Sequence, residues 1–571
     1  MGGWPPGHPV RPRADAGPVT STSTPASPSG SQPATPSSHH SIAEVGREAA
    51  RRRTFAVISH PDAGKSTLTE ALALHAQAIN EAGAVHGKAG RHATVSDWMD
   101  MEKARGISIT SAALQFPFGD HVVNLVDTPG HSDFSEDTYR VLSAVDAAVM
   151  LVDAAKGLEP QTLKLFRVCK ARGIPVITVI NKWDRPGLDP LALMEEIQDE
   201  IGLVPTPLTW PVGVSGDFRG VLDRRSGEYV AYTRTAGGAT RAPEERMDAE
   251  AARTREGEVW QVSVEESELL SADGADHDQD LFLSGFTTPV LFASAILNFG
   301  VATLLQTLVE LAPSAAAFHH GQEDAEGHRA EVREVTSPFS AFVFKVQAGM
   351  DTNHRDRLAF ARVCSGVFER GMVVVHAQSG RPFATKYAQS VFGRDRSVLD
   401  VAYPGDIIGL VNANALTIGD TIYVDEPVQY PPIATFAPEH FAIATAVDRG
   451  RFKQFQRGID QLDSEGVVQV LRSDLRGNQS PVLAAVGPMQ FEVAQARMAS
   501  EFNAAIRLET LGYTQARRTD AASAPTFADV RGVEILARRD GTLLVLAPDK
   551  WRIRVMERDH PDLVLEPLLA G

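Results

Sequence analysis

The chain has 571 residues, too many for one hydrophobic core, and three or four domains are expected. It is 43% hydrophobic and 22% charged, as ordinary globular proteins are, with no apolar run of 18 residues to make a membrane helix. Its only two cysteines, Cys169 and Cys364, argue against a disulfide framework or a cysteine metal site, and 55 basic against 72 acidic residues, a net charge of −17, argue against a broadly basic nucleic-acid binder. A reducing, cytoplasmic location with no membrane partner fits, and "MGGWPPGHPVRPR" lacks the apolar core of a secretory signal.

Residues 1–45 are rich in Pro, Ser, Thr, Ala and Gly, as in "TSTSTPASPSGSQPATPSS". They bury too little apolar surface to offset the entropy of ordering. The expectation is a disordered tail, or residues upstream of the true start. From Thr54 to about Pro190 strands and helices alternate. "TFAVIS" predicts a buried strand, "KSTLTEALALHAQAI" a helix with Leu68, Leu72, Ala76 and Ile79 on one face, and "PQTLKLFRVCKARG" a helix closed by Gly173. "HVVNLVD", "AAVMLVD" and "IPVITVIN" are β-rich runs that each end in a polar residue. This pattern predicts a mostly parallel sheet covered by helices, whose ligands bind at the carboxyl ends of the strands. Ser59, Asp127, Asp153 and Asn181 all fall there.

Residues 214–290 are polar and acidic, and the expectation is a solvated loop-and-helix insertion on the sheet's surface. From Pro338, short strands such as "AFVFKV", "RLAFARV", "GMVVVHA" and "GDIIGLV" predict a β-barrel. After about Pro438 the order strand, helix, strand, strand, helix, strand predicts a ferredoxin-like α/β domain.

The loop after the first strand is "SHPDAGKST": Ser59, His60, Pro61, Asp62, Ala63, Gly64, Lys65, Ser66 and Thr67. It matches a P-loop except for the first glycine. Gly64 lets the backbone curl so that N–H groups face an anion, and the helix N-terminus adds partial positive charge. Lys65 would reach the β- and γ-phosphates and Ser66 would bind Mg²⁺. Pro61 stiffens the rim without removing a phosphate donor, if the donors lie at 62–66. "DTPGH", which is Asp127, Thr128, Pro129, Gly130 and His131, follows a strand. Asp127 can hold Mg²⁺ through water, and the Gly130 amide can bond the γ-phosphate. "NKWD", which is Asn181, Lys182, Trp183 and Asp184, follows another strand. The Asp184 carboxylate can accept from guanine N1–H and N2–H₂, where adenine offers a lone pair and no amine. Asn181 would support the other base edge, the Lys182 stem would pack on the base, and Trp183 would pack beneath. "RGISIT", residues 105–110, carries hydroxyls within reach of Mg²⁺. Four such elements in this order point to GTP and GDP, with Mg²⁺, as cofactors.

The chain resembles translational GTPases, and closely the bacterial class-3 peptide chain release factors. The resemblance covers about 47–571. It is carried by "RRRTFAVISHPDAGKST", "VSDWMDMEKARGISIT", "NLVDTPGHSDFSEDTYR", "LVDAAKGLEPQT" and "FRGVLD", then by "MDTNHRDRLAFARVCSG", "AYPGDIIGL" and "GPMQFEVAQARM". It implies a P-loop GTPase domain at 46–313 with an insertion at about 185–293, a β-barrel at 338–430 and an α/β domain at 438–571. It implies a ribosome-dependent GTPase of termination that drives class-1 release factors off the ribosome after peptide release. The partners implied are ribosomal RNA and protein, and class-1 release factors; a monomer is expected. His131 would orient the attacking water, Ser108 would touch Mg²⁺, and Asp62 would help place a monovalent cation. Ser294 and Ala295 would complete the guanine pocket, with 210–216, "WPVGVSG", as the alternative. Trp183 is bulkier than the family's usual leucine. An arginine cluster, Arg355, Arg357, Arg362, Arg370, Arg394 and Arg396, suggests a local basic docking face on an otherwise acidic chain.

Two other readings compete. An elongation factor G-like translocase would carry two further C-terminal domains, for which residues up to Gly571 leave no room. A regulator that holds GTP without hydrolysing it would not need Lys65, Asp127 and His131 together.

Overall fold

The structure, a computed structural model, describes residues 40–76, 112–234, 241–315, 333–348 and 357–568, apart from 393–394, 412, 414, 434, 474–475 and 478. Most of the expected tail, and Ser108 with the rest of "RGISIT", lie outside the described residues. The tail ends earlier than its composition suggests. Helix α1 (Ile42–Ala50) starts inside it, with the Ser41 hydroxyl accepting from the Glu44 N–H at 3.1 Å.

A seven-stranded sheet forms the centre of the first domain. Its strands are β1 (Arg52–Ser59), β2 (Ala112–Phe118), β3 (His121–Asp127), β4 (Ala147–Asp153), β5 (Val176–Asn181), β6 (Val204–Pro207) and β11 (Thr287–Phe292), in the spatial order β2-β3-β1-β4-β5-β11-β6. All neighbours are parallel except β2 against β3. The parallel strands are apolar on both faces because helices cover both. Phe55, Val57, Val149 and Val179 face one core, against Leu68 and Leu72 of α2 (Lys65–His75). Ile58, Met150 and Ile180 face the other, against Val141 of α3 (Ser135–Leu142) and Phe166 of α4 (Pro160–Ala171). Helix α5 (Pro190–Ile201) leads into β6, which pairs with β11. These two elements belong to the main sheet, so the insertion is narrower than 185–293.

The insertion is also more than a solvated loop. Strands β7 (Thr209–Val212), β8 (Gly220–Asp223), β9 (Tyr229–Tyr232) and β10 (Glu244–Met247) make an antiparallel sheet, followed by α6 (Ala249–Glu256) and α7 (Glu258–Ala272). Trp210, Tyr229 and Trp260 are buried beneath it, and Trp210 Nε1 donates to Glu266 Oε2 at 2.7 Å. The acidic surface hides an aromatic core that composition averaged away. After the short α8 (Gln279–Leu283) and β11, helix α9 (Val301–Leu311) closes the domain.

The second domain is β-rich and barrel-like. It comprises β12 (Ser340–Ala348), β13 (Arg357–Ser365), β14 (Phe368–Glu369), β15 (Val373–His376), β16 (Arg381–Ala384), β17 (Ala388–Phe392), β18 (Asp395–Val398), β19 (Val401–Ala402), β20 (Ile407–Val411) and β21 (Thr421–Tyr423). Eight of these form one antiparallel sheet, and β14 pairs with β19. The "AYPGD" turn before β20 is a docking point on the GTPase domain. Gly405 O accepts from Thr54 Oγ1 at 2.7 Å, and Asp406 Oδ1 receives Arg52 Nε and Gln115 Nε2, each at 2.8 Å. Gly405 has φ +97°, and a Cβ there would sit 2.9 Å from Ala315 Cβ.

Arg362 corrects the expected basic docking face. It is 1% exposed, and its Nη2 pairs with the fully buried Asp146 of the GTPase domain at 2.6 Å while Nη1 donates to Ala144 O at 2.7 Å. Arg357 is half-buried and donates to Leu416 O at 2.8 Å; Arg370 pairs with Asp400 at 2.8 Å. Arg355, Arg394 and the Arg396 side chain lie outside the described residues.

The last domain holds two β-α-β-β-α-β units in tandem. In the first, β22 (His440–Ala446), α10 (Phe452–Ser464), β23 (Gln469–Leu471), β24 (Val482–Ala485), α11 (Met489–Ser500) and β25 (Ile506–Thr510) give the order β23-β24-β22-β25. In the second, β26 (Gln515–Thr519), α12 (Ala524–Ala528), β27 (Glu534–Ala537), β28 (Leu543–Ala547), α13 (Lys550–Asp559) and β29 (Glu566–Pro567) give β27-β28-β26-β29. Both give the second, third, first and fourth strands of their unit side by side, the ferredoxin-like order. The sequence predicts only the first of the two units.

Candidate functional site

Ser59, Asp127, Asp153 and Asn181 are the last residues of β1, β3, β4 and β5, so four polar groups emerge together at the carboxyl edge of the sheet. Each strand is mostly apolar where helices cover it, with Thr54, Asn124 and Thr178 as buried exceptions, and ends in a polar residue.

The loop 59–64 curls into the N-terminus of α2. Gly64 has φ +97° and offers no side-chain cap to the helix. Asp62 also adopts a left-handed conformation, φ 66°, which Asp tolerates better than most residues. Lys65 is buried, and its Nζ lies 3.0 Å from the point where a Cβ on Gly130 would sit. The lysine therefore reaches across to the "DTPGH" turn, and any larger residue at 130 would displace it. The Ser59 hydroxyl donates to His60 O at 2.8 Å. The His60 ring turns outward to Glu159 Oε1 at 3.0 Å, and burial holds its pKa below the usual imidazole value despite the nearby Glu159 charge. The Thr128 hydroxyl is turned into the sheet, donating to Val57 O at 2.8 Å, so only its backbone faces the site.

The base side is built by Asn181 and Asp184. Asn181 Nδ2 donates to Ala63 O at 2.8 Å and its Oδ1 accepts from the Ala295 N–H at 2.9 Å, so one amide ties the loops 59–64 and 294–295 together. A Cβ on Gly64 would lie 2.5 Å from Asn181 Nδ2. Asp184 Oδ1 accepts from the Ser294 hydroxyl at 2.5 Å. Lys182, at φ 65°, donates to Asp62 O and, at 2.8 Å, to Asp153 Oδ2. Burial would raise the Asp153 carboxyl, but the Lys182 hydrogen bond, the Ala155 N–H and the Lys182 charge outweigh it, and its pKa lies below the usual range. Trp183 is fully buried, edge-on to Phe292 with ring centroids 4.8 Å apart. The 210–216 stretch braces the loop from behind: Ser215 Oγ donates to Arg185 O at 2.6 Å and the Gly216 N–H to Trp183 O at 2.9 Å. It is Ser294 and Ala295 that touch the Asp184 and Asn181 side chains.

His131 is 30% exposed. Its Nδ1 lies 3.2 Å from Asp133 Oδ1, and 3.3 Å from the Asp133 backbone N. Sequence reasoning passed over Asp133, although it stands in the quoted "DTPGHSDF". It also missed Asp153 and Glu159 as partners of Lys182 and His60; their only signal was a place at a strand end or a helix start.

The donor set suits Mg²⁺. Ser66 offers a hydroxyl in the first turn of α2, and Asp127 a buried carboxylate at the end of β3. Mg²⁺ beside phosphates takes one or two protein oxygens and keeps the rest as phosphate and water. Among the described residues no group of three or more His, Cys, Asp or Glu gathers for a metal, and such a site requires none.

Comparison with known proteins agrees with this architecture. Residues 50–314 match the model "Elongation factor Tu GTP binding domain", 338–425 match "Elongation factor G domain 2", and 430–557 match "Class II release factor RF3, C-terminal domain". The chain is 45% identical over 526 residues to the peptide chain release factor 3 of Microcystis aeruginosa, covering 91% of this chain and 95% of that protein. It is 45% identical over 523 residues to that of Symbiobacterium thermophilum, covering 90% and 97%. A crystal structure from Thermus thermophilus superposes with a TM-score of 0.65 over 88% of this chain and 74% of that one, at 21% identity, a likeness of fold. The chain belongs to the peptide chain release factor 3 family and is a GTPase of translation termination.

Proposed function

We propose that GTP binding to this protein drives a class-1 release factor off the ribosome after peptide release, and that hydrolysis then frees the protein itself. The observation that carries the nucleotide half is the base edge: Asn181 joined to Ala63 and Ala295, and Asp184 joined to Ser294. A carboxylate held by a buried serine is a fixed acceptor for guanine N1–H and N2–H₂. Gly64, Lys65 and the first turn of α2 would take the phosphates. Ser66 and Asp127, with Ser108, would hold Mg²⁺, whose charge offsets that of the phosphates. His131 would orient a water for in-line attack on the γ-phosphorus; the bond to the β–γ bridging oxygen breaks, giving GDP and phosphate. Family membership supports the termination half and contact with the ribosome, and the protein is proposed to act as a cytoplasmic monomer.

The test uses ribosomes halted at a stop codon with a fluorescent class-1 release factor bound after peptide release. Its dissociation should accelerate with this protein and GTP, and not with GDP. No acceleration, with ribosome-stimulated GTP hydrolysis intact, would move the protein to another step.

A further inference from the structure

We infer that Asp133 is a positioning residue for GTP hydrolysis, and that the C-terminal domain holds it in place. The inference rests on the reading of His131 as the group that orients water.

Asp133 faces two domains. Its Oδ1 lies 3.2 Å from His131 Nδ1. Its Oδ2 accepts the backbone N–H of Met489, the first residue of α11, at 2.7 Å. The carboxylate thus acts as an N-terminal cap for a helix of another domain, where N–H groups and the helix dipole favour negative charge. The fit is close: a Cβ on Gly487 would lie 2.1 Å from Asp133 Cγ and 2.4 Å from Oδ1. Next to it, Phe134 is buried against Val493, with Met489 and Val467 packed around them. A second tie lies one turn on, where Arg140 pairs with Glu136 at 2.7 Å and a Cβ on Gly466 would meet its guanidinium.

These contacts give Asp133 a task. His131 Nδ1 has two neighbours that ask for opposite tautomers: the carboxylate accepts an Nδ1–H, while the Asp133 N–H at 3.3 Å would donate to an Nδ1 lone pair. A carboxylate beside a ring lone pair is repulsive, so Oδ1 favours Nδ1–H and leaves Nε2 as the acceptor for water. The Met489 N–H engages Oδ2 and keeps Oδ1 aimed at the ring. If the C-terminal domain moves away, Asp133 loses that anchor and His131 its orientation.

The experiment measures ribosome-stimulated GTP hydrolysis by the full-length protein, with fluorescent GDP binding alongside. The variants are Asp133→Ala, Asp133→Asn, Gly487→Ala, His131→Ala and the pair His131→Ala/Asp133→Ala. Asp133→Ala should lower kcat by roughly 10-fold, a part of the 10²–10⁴ that a proton-handling group contributes, and leave GDP affinity within about twofold. Asp133→Asn keeps the volume but accepts through one oxygen only, and should act in the same direction. Gly487→Ala, a change in the other domain, should reproduce the loss. The double variant should be no slower than His131→Ala alone, which a merely structural role would not predict. Normal kcat in both Asp133 variants beside a slow His131→Ala, or additive losses in the double variant, would overturn the inference and leave His131 standing. A wild-type rate for His131→Ala would remove both.

Discussion

Ser294 donates its hydroxyl to Asp184 Oδ1 at 2.5 Å from 110 residues further along the chain. Ser294 itself is fully buried, between Ala293 and Ala295. The carboxylate that would read the base is therefore fixed by a residue that follows the whole inserted sheet in the chain.

Removing that hydroxyl should weaken nucleotide binding without touching chemistry. A hydrogen bond to a charged group is worth about 1.5–3 kcal/mol, so Ser294→Ala should lower GTP and GDP affinity alike by roughly 10-fold or more, with hydrolysis per bound nucleotide unchanged. Asp184→Asn replaces an acceptor by an amide, and should reduce guanine affinity by about 10² or more while improving xanthine, whose C2 carries a carbonyl. Titrations with fluorescent guanosine and xanthosine diphosphates decide it; unchanged base preference in Asp184→Asn would refute the assignment.

The Arg362–Asp146 pair should behave as a domain fastener. Burial pushes the Asp146 carboxyl above the ordinary carboxylate range, against the charge and hydrogen bond of Arg362. Arg362→Ala leaves that carboxylate buried without its cation, which costs about 3–5 kcal/mol, whereas Arg362→Met with Asp146→Leu should recover most of the loss. Urea denaturation of the three proteins tests this. Wild-type stability in Arg362→Ala would show that the arginine is dispensable at the interface.

Asp463 should make the C-terminal domain pH-sensitive. Burial raises its pKa to about 6 from 3.8, with the Val470 N–H and the charges of Arg539 and Arg472 opposing the shift. The folded pKa is the higher one, so the protonated form is favoured on folding. That stabilisation is fully present below pH of about 4 and is lost as pH rises through about 6. The total is up to about 3 kcal/mol at 1.36 kcal/mol per pKa unit. Asp463→Asn keeps an acceptor for Val470 and removes the titration. Its stability advantage over the wild type should therefore grow between pH of about 4 and 7; a constant difference would show that Asp463 does not titrate there.

Much of the GTPase site was legible in the chain because it rests on local rules. Strands β1, β3 and β5 each end a mostly apolar run in a polar residue, so Ser59, Asp127 and Asn181 mark the carboxyl edge. Gly64 is needed where the backbone takes φ +97° beside Asn181. The order strand, glycine loop, helix survives any change in distant contacts.

What the sequence hid depends on neighbours remote along the chain. The sequence places Arg362 in a basic docking face, and only the approach of Asp146, 216 residues earlier, makes it a buried ion pair. Thr128 sits in a ligand-binding motif, yet its hydroxyl satisfies Val57 O inside the sheet. The second β-α-β-β-α-β unit becomes visible only through the pairing of its four strands into one sheet. Asp133 was an ordinary polar residue until α11 of another domain arrived above it. The sequence by itself determined the sheet, the phosphate loop and the base-reading motif, since backbone conformation and hydrophobic patterning are encoded locally. Only the tertiary structure decided which charges are buried, which serine steadies Asp184 and which domain holds Asp133, because burial and pairing belong to surfaces that meet only when the chain has folded.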